Sequence, residues 1–126
     1  MKEIINIKNA PAPVGPYSQA VIHNNVMYAS GQIAINPKTG ALIKNDVMKE
    51  LTQILANIDS LLKSANINRN HIIKCSIFLK NMNDFEVVNE LYADYFEPPF
   101  PARETVEVAR LPKGVNIEIS FIASLD

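Results

Sequence analysis

Apolar residues at Val47, Leu51, Ile54, Leu55, Ile58, Leu61, Leu62 and Ala65 recur at intervals of three and four, the spacing of one face of a helix about five turns long. Asn45 or Asp46 can accept from the free N–H groups at its start, and Asn66 suits the left-handed residue past its end. The period then changes to two. Between Ile72 and Leu79, Ile73, Cys75, Ile77 and Leu79 share one side, with Ile72, Lys74, Ser76 and Phe78 on the other. Apolar groups on both sides predict a central strand. From Val115 to Ala123 the alternation is cleaner: Val115, Ile117, Ile119 and Phe121 on one face, Asn116, Glu118 and Ser120 opposite. A second helix is predicted from Asn83, capped by that side chain with Glu86 reaching back. Its apolar face is Phe85, Val88, Tyr92 and Tyr95, and Glu97-Pro98-Pro99-Phe100-Pro101 stops it.

The remaining elements are shorter. Residues 4–7 and Glu104–Ala109 read as strands, and the proline-rich passage Ala10–Pro16 as a loop. Tyr17–Ile22 and Val26–Ser30 form a hairpin about His23-Asn24-Asn25, since tandem Asn tolerates positive φ. Gly31–Ile35 leads into a turn at Asn36-Pro37-Lys38-Thr39-Gly40, and Leu111–Gly114 makes another. The order predicts an α+β fold in one domain spanning residues 1–126: a mixed sheet of about six strands with two helices on one face. The other face keeps apolar groups that need a partner surface, so a homo-oligomer with sheets packed together is expected, and a site between subunits with it.

Composition narrows the chemistry. The 126 residues are 48% hydrophobic and 20% charged, a globular balance. Twelve Lys and Arg against 13 Asp and Glu leave a net charge of -1, which gives no basis for holding nucleic acid or an anionic membrane. One cysteine, Cys75, excludes an intrachain disulfide and a Cys-based zinc site. His23 and His71 are too few and too far apart for a metal motif. Asn6 and Lys8 break the apolar run that a secretory signal needs, so a cytoplasmic protein is expected. No Gly-rich phosphate loop, nucleophile elbow or acidic metal cluster is present.

Three arginines stand against nine lysines, which makes each place where a planar fork was needed worth attention. Arg103 follows the stiff Phe100-Pro101-Ala102 segment and suits a carboxylate or phosphate clamp; the alternative is a salt bridge to Glu104, Glu107 or a neighbouring chain. Glu118, mid-strand between Ile117 and Ile119, must find partners or hold its proton; it can activate a water or pair with a cation. Tyr17 after Gly15-Pro16 can enter a pocket or sit half-buried at a strand start. Ser30 before Gly31 can offer a hydroxyl or simply end a strand. Cys75 reads as a buried hydrophobe, and both histidines as surface residues.

The run Pro101-Ala102-Arg103-Glu104-Thr105-Val106-Glu107-Val108-Ala109-Arg110-Leu111-Pro112-Lys113, followed by Val115-Asn116-Ile117-Glu118-Ile119, resembles the signature of the RidA (YjgF) family of imine and enamine deaminases. Supporting blocks are Ala10–Gln19, Ser30-Gly31-Gln32-Ile33 with Asn36–Gly40, and Asn83-Asp84-Phe85 with Val88-Asn89 and Tyr92; together they span essentially the whole chain. The resemblance implies a chorismate-mutase-like fold and a homotrimer with three clefts between subunits. It also implies cofactor-free, metal-free hydrolysis of reactive 2-imino acids, such as 2-iminobutanoate and 2-iminopropanoate from threonine and serine dehydratases, to 2-oxo acids and ammonia. Arg103 would hold the substrate carboxylate and Glu118 would orient the water, with Tyr17, Ser30, Gly31, Asn89 and Thr105 lining the pocket. Many members carry Cys where this chain has Thr105, so a thiolate mechanism at that place is excluded. Close deaminase relatives often have Glu where Ser120 stands, which can alter hydrogen bonding beneath Glu118. The competing functions within the family are endoribonuclease or translation inhibitor, and a non-catalytic metabolite-binding or chaperone-like oligomer.

Overall fold

Asp46 opens the long helix. In the computed structural model, which describes residues 1–126, its carboxylate accepts from the N–H groups of Met48 and Lys49 at 3.1 and 3.2 Å, and the helix α1 runs Val47–Ser64. Asn45 instead takes a positive φ of +64° before the helix, and Asn66, as expected, takes one of +59° past its end. The strands are β1 (Glu3–Ile5), β2 (Ala20–His23), β3 (Val26–Gln32), β4 (Ile72–Leu79), β5 (Ala102–Glu107) and β6 (Ile117–Ser124). They form one six-stranded sheet in the order β1-β2-β3-β6-β4-β5. All pairs are antiparallel except β4 with β5, which are parallel and joined through the second helix, α2 (Phe85–Tyr95). Asn24 and Asn25, at φ +50° and +62°, make the expected two-residue turn between β2 and β3.

Both helices lie on one face. Leu51, Ile54, Ile58, Leu61 and Leu62 of α1, with Val88, Tyr92 and Tyr95 of α2, meet Met27, Cys75, Ile77, Leu79, Ile117, Ile119, Phe121 and Ala123 of the sheet. Two buried polar groups on α1 tie it to the rest of the fold. The Glu50 carboxylate accepts from the Asn116 backbone N–H at 2.8 Å and from its side-chain amide at 2.6 Å, and Asn57 donates to the Ile35 carbonyl at 3.0 Å. The face away from the helices carries Ile4, Tyr28 and Val106, all exposed, and Val21, Phe78 and Ile122, half-buried. That is the uncovered apolar face the sequence implied.

Beyond shifts of one or two residues at the ends of β1, β3, β5 and β6, four features differ from expectation, each for a reason that lies outside local periodicity. A bulge in β4, where Ile72 opposes Ala123 and Lys74 opposes the adjacent Ile122, inserts one residue. It buries Ile72 and leaves Ile73 50% exposed, the reverse of the predicted faces at that end. A 3₁₀ turn, Met82–Asp84, precedes α2, so Asn81 rather than Asn83 supplies the cap, accepting from the Asn83 N–H at 2.9 Å, and α2 itself has no side-chain cap. Parallel pairing of Lys74 with Ala102 starts β5 two residues early, which puts Arg103 inside the strand rather than before it. β2 begins at Ala20, because the Gln19 N–H before it is turned to the Asn6 side chain at 3.1 Å, tying the chain there to the N-terminal segment, while its carbonyl still accepts from the Ser30 N–H of β3 at 3.0 Å.

Candidate functional site

Gln19 does that tying. Its side-chain oxygen accepts from the Ile7 N–H at 2.6 Å, and its amide nitrogen donates to the carbonyls of Ile7, Ala10 and Pro11 at 3.0, 3.2 and 2.9 Å. A segment whose prolines cannot build a ladder thereby gets its backbone partners from one buried side chain. The pinned loop is one wall of a cleft of about 370 Å³ whose other lining includes Tyr17, Ser30, Gly31, Lys113 and Glu118. Tyr17 stands at its rim, half exposed. Ser30 donates its hydroxyl to the Ser18 carbonyl at 2.6 Å, so what remains toward a ligand is its lone pairs. Lys113 adopts a φ of +58°.

Glu118 projects from β6 on the face away from the helices and is half-buried, with no hydrogen bond or ion pair inside the chain. Burial pushes its carboxyl above the usual carboxylate range. Its position depends on Gly31. A register shift between Ala29 and Gln32 bulges β3 beside β6, and a Cβ on residue 31 would stand 2.6 Å from the Glu118 carboxyl carbon and 3.0 Å from its Cγ. Only a glycine backbone lets that carboxylate lie across the bulge.

Arg103 occupies a second, more open groove with Asn89, Tyr92, Ala93, Phe100 and Pro101. It is half-buried, and its guanidinium carbon lies 4.8 Å from the Tyr92 ring centroid and 5.7 Å from that of Phe85. It makes no ion pair within the chain. The carboxylates offered as alternatives are engaged elsewhere: Glu104 with the Ser76 hydroxyl and with Lys74 at 3.1 Å, and Glu107 with the Met82 N–H at 2.9 Å. Glu104 is held below its usual pKa by the Ser76 hydrogen bond first and Lys74 second. Arg69, by contrast, is spent on Asp59, the Tyr95 carbonyl and the Tyr95 ring, and Arg110 is exposed. Thr105, two residues beyond Arg103 on the same face, has a buried hydroxyl with no partner. Cys75 lies opposite Arg103, and burial pushes its thiol up to about 11, partly offset by the Tyr92 hydroxyl and Arg103. That is an inert thiol, as its spacing implied.

The two groups do not meet inside one chain. Arg103 is in register with Cys75, whose side is covered by helices, whereas Glu118 is in register with Phe78 on the other side of β4. The structure therefore brings together Tyr17, Ser30, Gly31 and Glu118, and separately Arg103 and Asn89; Thr105 shares the strand face of Arg103 but lines neither cleft. Sequence reasoning missed Gln19 and Lys113 at the first cleft and the apposition of Gly31 with Glu118. A glycine inside a strand pattern was the one available signal. No cluster of His, Cys, Asp and Glu could hold a metal ion, and no helix is long and apolar enough to cross a membrane.

A family model described as Endoribonuclease L-PSP matches residues 7–125. A RutC family protein of Pyrococcus horikoshii is 50% identical over 123 residues, covering 98% of each chain. A human protein named 2-iminobutanoate/2-iminopropanoate deaminase is 42% identical over 123 residues, 98% of this chain and 90% of the relative. Among solved structures, a protein of unknown function of the conserved Rid family from Yersinia pestis has a TM-score of 0.96 at 51% identity, covering 98% of this chain and 99% of that one.

Proposed function

This chain belongs to the YjgF/RidA family, and on that premise we propose that it hydrolyses reactive 2-imino acids such as 2-iminobutanoate and 2-iminopropanoate to 2-oxo acids and ammonia. The observation that carries the reading is the half-buried, unpartnered guanidinium of Arg103, left free while both neighbouring glutamates bond to other groups. A planar fork with its donors unspent takes a carboxylate through two parallel N–H···O bonds. The deaminases named among its relatives support the choice of substrate.

Glu118 supplies the other requirement. A water held by its carboxylate attacks the imine carbon while the carboxylate takes the water's proton and the C=N π pair moves to nitrogen. Return of that proton to nitrogen makes ammonia the leaving group; the regenerated carboxylate then takes the hydroxyl proton as the C=O bond forms and the C–N bond breaks, and the departing ammonia carries that proton away as ammonium. Burial raises the Glu118 carboxyl toward the operating pH, which suits a group that must both take and return a proton. The acceleration needed is modest, because a protonated imine is already electrophilic. Fixing carboxylate and water in one geometry supplies it as proximity.

Since Arg103 and Glu118 face opposite sides of one sheet, the proposed site is completed by a second copy. The Glu118 cleft of one chain meets the Arg103 groove of its neighbour, three times over in a homotrimer packed through the uncovered apolar face. A ribonuclease reading has less support, since a net charge of -1 gives no electrostatic footing for RNA.

The test is a coupled assay in which threonine dehydratase generates 2-iminobutanoate and its lifetime is followed. The wild-type protein is expected to shorten that lifetime, and Arg103→Ala to lose the effect by about 100-fold or more while keeping its circular dichroism and oligomeric state. Full activity in Arg103→Ala would overturn the assignment of the clamp.

A further inference from the structure

We infer that Tyr92 is a positioning residue for Arg103, the face of its ring setting where the guanidinium points. The inference rests on the reading of Arg103 as a carboxylate clamp. An arginine on the edge strand β5, with no ion pair, would sweep many rotamers and meet a ligand in few of them. A neighbouring carboxylate could fix it, but would occupy the donors and cancel the charge the ligand needs. An aromatic face does neither: it attracts the cation through its quadrupole and leaves the in-plane N–H donors free.

The geometry fits that arrangement. Phe85, Asn89 and Tyr92 follow one another at intervals of four and three on α2, hence on one face. Arg103 lies against both rings, nearer Tyr92. The Tyr92 ring is itself packed on its other sides. It is 5% exposed, its centroid is 4.6 Å from that of Phe96 at an interplanar angle of 50°, and its hydroxyl is buried, turned inward to the Cys75 thiol. A hydroxyl turned inward leaves the ring face as the part of the residue that works on Arg103. A phenylalanine should therefore serve nearly as well.

The experiment separates a ring face from mere bulk. Tyr92 is replaced by Phe, by phenylalanines carrying one, two and three ring fluorines, and by Leu. The dissociation constant of 2-oxobutanoate, a 2-oxo acid product, is measured by calorimetry for each, alongside the thermal midpoint. Tyr92→Phe is expected to bind within about twofold of wild type, and affinity to fall stepwise with fluorination, by about tenfold at three fluorines, because each fluorine drains the quadrupole. Thermal midpoints across the fluorinated series are expected to stay together, so a packing role would not reproduce the trend. Equal affinity for the Phe and trifluoro variants would overturn the inference; should the Leu variant fail to fold, the fluorinated series decides alone. Arg103→Ala is the control for the reading beneath it. If that variant binds 2-oxobutanoate as wild type does, the clamp itself is wrong and the inference falls with it; if it loses binding while fluorination changes nothing, only the role of Tyr92 is wrong.

Discussion

The groove at Arg103 and the cleft at Glu118 hold opposite charges by opposite means. Arg103 sits on an edge strand, steadied by aromatic rings from the helix beside it. Glu118 sits on a central strand, steadied by absence: a missing Cβ at Gly31 lets its carboxylate lie against backbone. Attraction tolerates some slack, because a cation over a ring slides at small cost. Steric accommodation does not, since a single added carbon at 2.6 Å must displace something. The anion half should accordingly be the more brittle under small substitutions, and the cation half the more sensitive to loss of charge.

The largest expected effect tests whether the two halves belong to one site. Arg103→Ala and Glu118→Gln should each be inactive alone. Refolded together in equal amounts, they should regain about a quarter of wild-type activity, since one interface in four then pairs an intact groove with an intact cleft. Mixed oligomers without activity would place both halves in separate sites. Next comes Gly31→Ala, expected to lower turnover about tenfold or more by pushing the Glu118 carboxylate aside, with the affinity for 2-oxobutanoate at Arg103 nearly unchanged. Parallel losses in both would erase the distinction between the halves. Gln19→Leu leaves an N–H and three carbonyls without their partner and should cost about 1–3 kcal/mol in chemical denaturation, with faster amide exchange at Ile7. Unchanged exchange there would show that the loop holds itself.

The smallest effect carries a sign. Because the folded chain raises the Glu118 carboxyl, it holds that proton to higher pH than the unfolded chain does. Ionised Glu118 therefore weighs against folding once the pH exceeds the ordinary carboxylate range, and the disadvantage fades as pH falls into that range. Glu118→Gln should melt slightly above wild type at neutral pH and converge with it in acid, while activity of the wild type rises as Glu118 ionises. A melting difference that widened in acid would mean the carboxylate is favourably paired.

What was legible in the sequence is what depends on near neighbours. The stripe of α1, the alternation of β6 and the Asn24-Asn25 turn are fixed by residues a few places apart, and the structure keeps them. The start of β5, the bulge in β4 and the cap before α2 follow from which strand lies alongside and in what register, which periodicity does not encode. The site divides the same way. Arg103 and Glu118 stood out by residue type against their surroundings, but the fit of Glu118 over Gly31 and the four bonds of Gln19 join segments distant in the chain. Residue type alone does not reveal such meetings.

β6 follows every other strand in the chain, yet lies between β3 and β4. Until it emerges from the ribosome, β1-β2-β3 and β4-β5 are two separate fragments with raw edges, each exposing the backbone groups that β6 will take. The sheet therefore cannot close until β6 has been made, and the strand that comes last in chain order is the one that decides folding. The strand that joins the fragments also carries Glu118, so a nascent chain acquires its fold and its proposed water-holding carboxylate in one event.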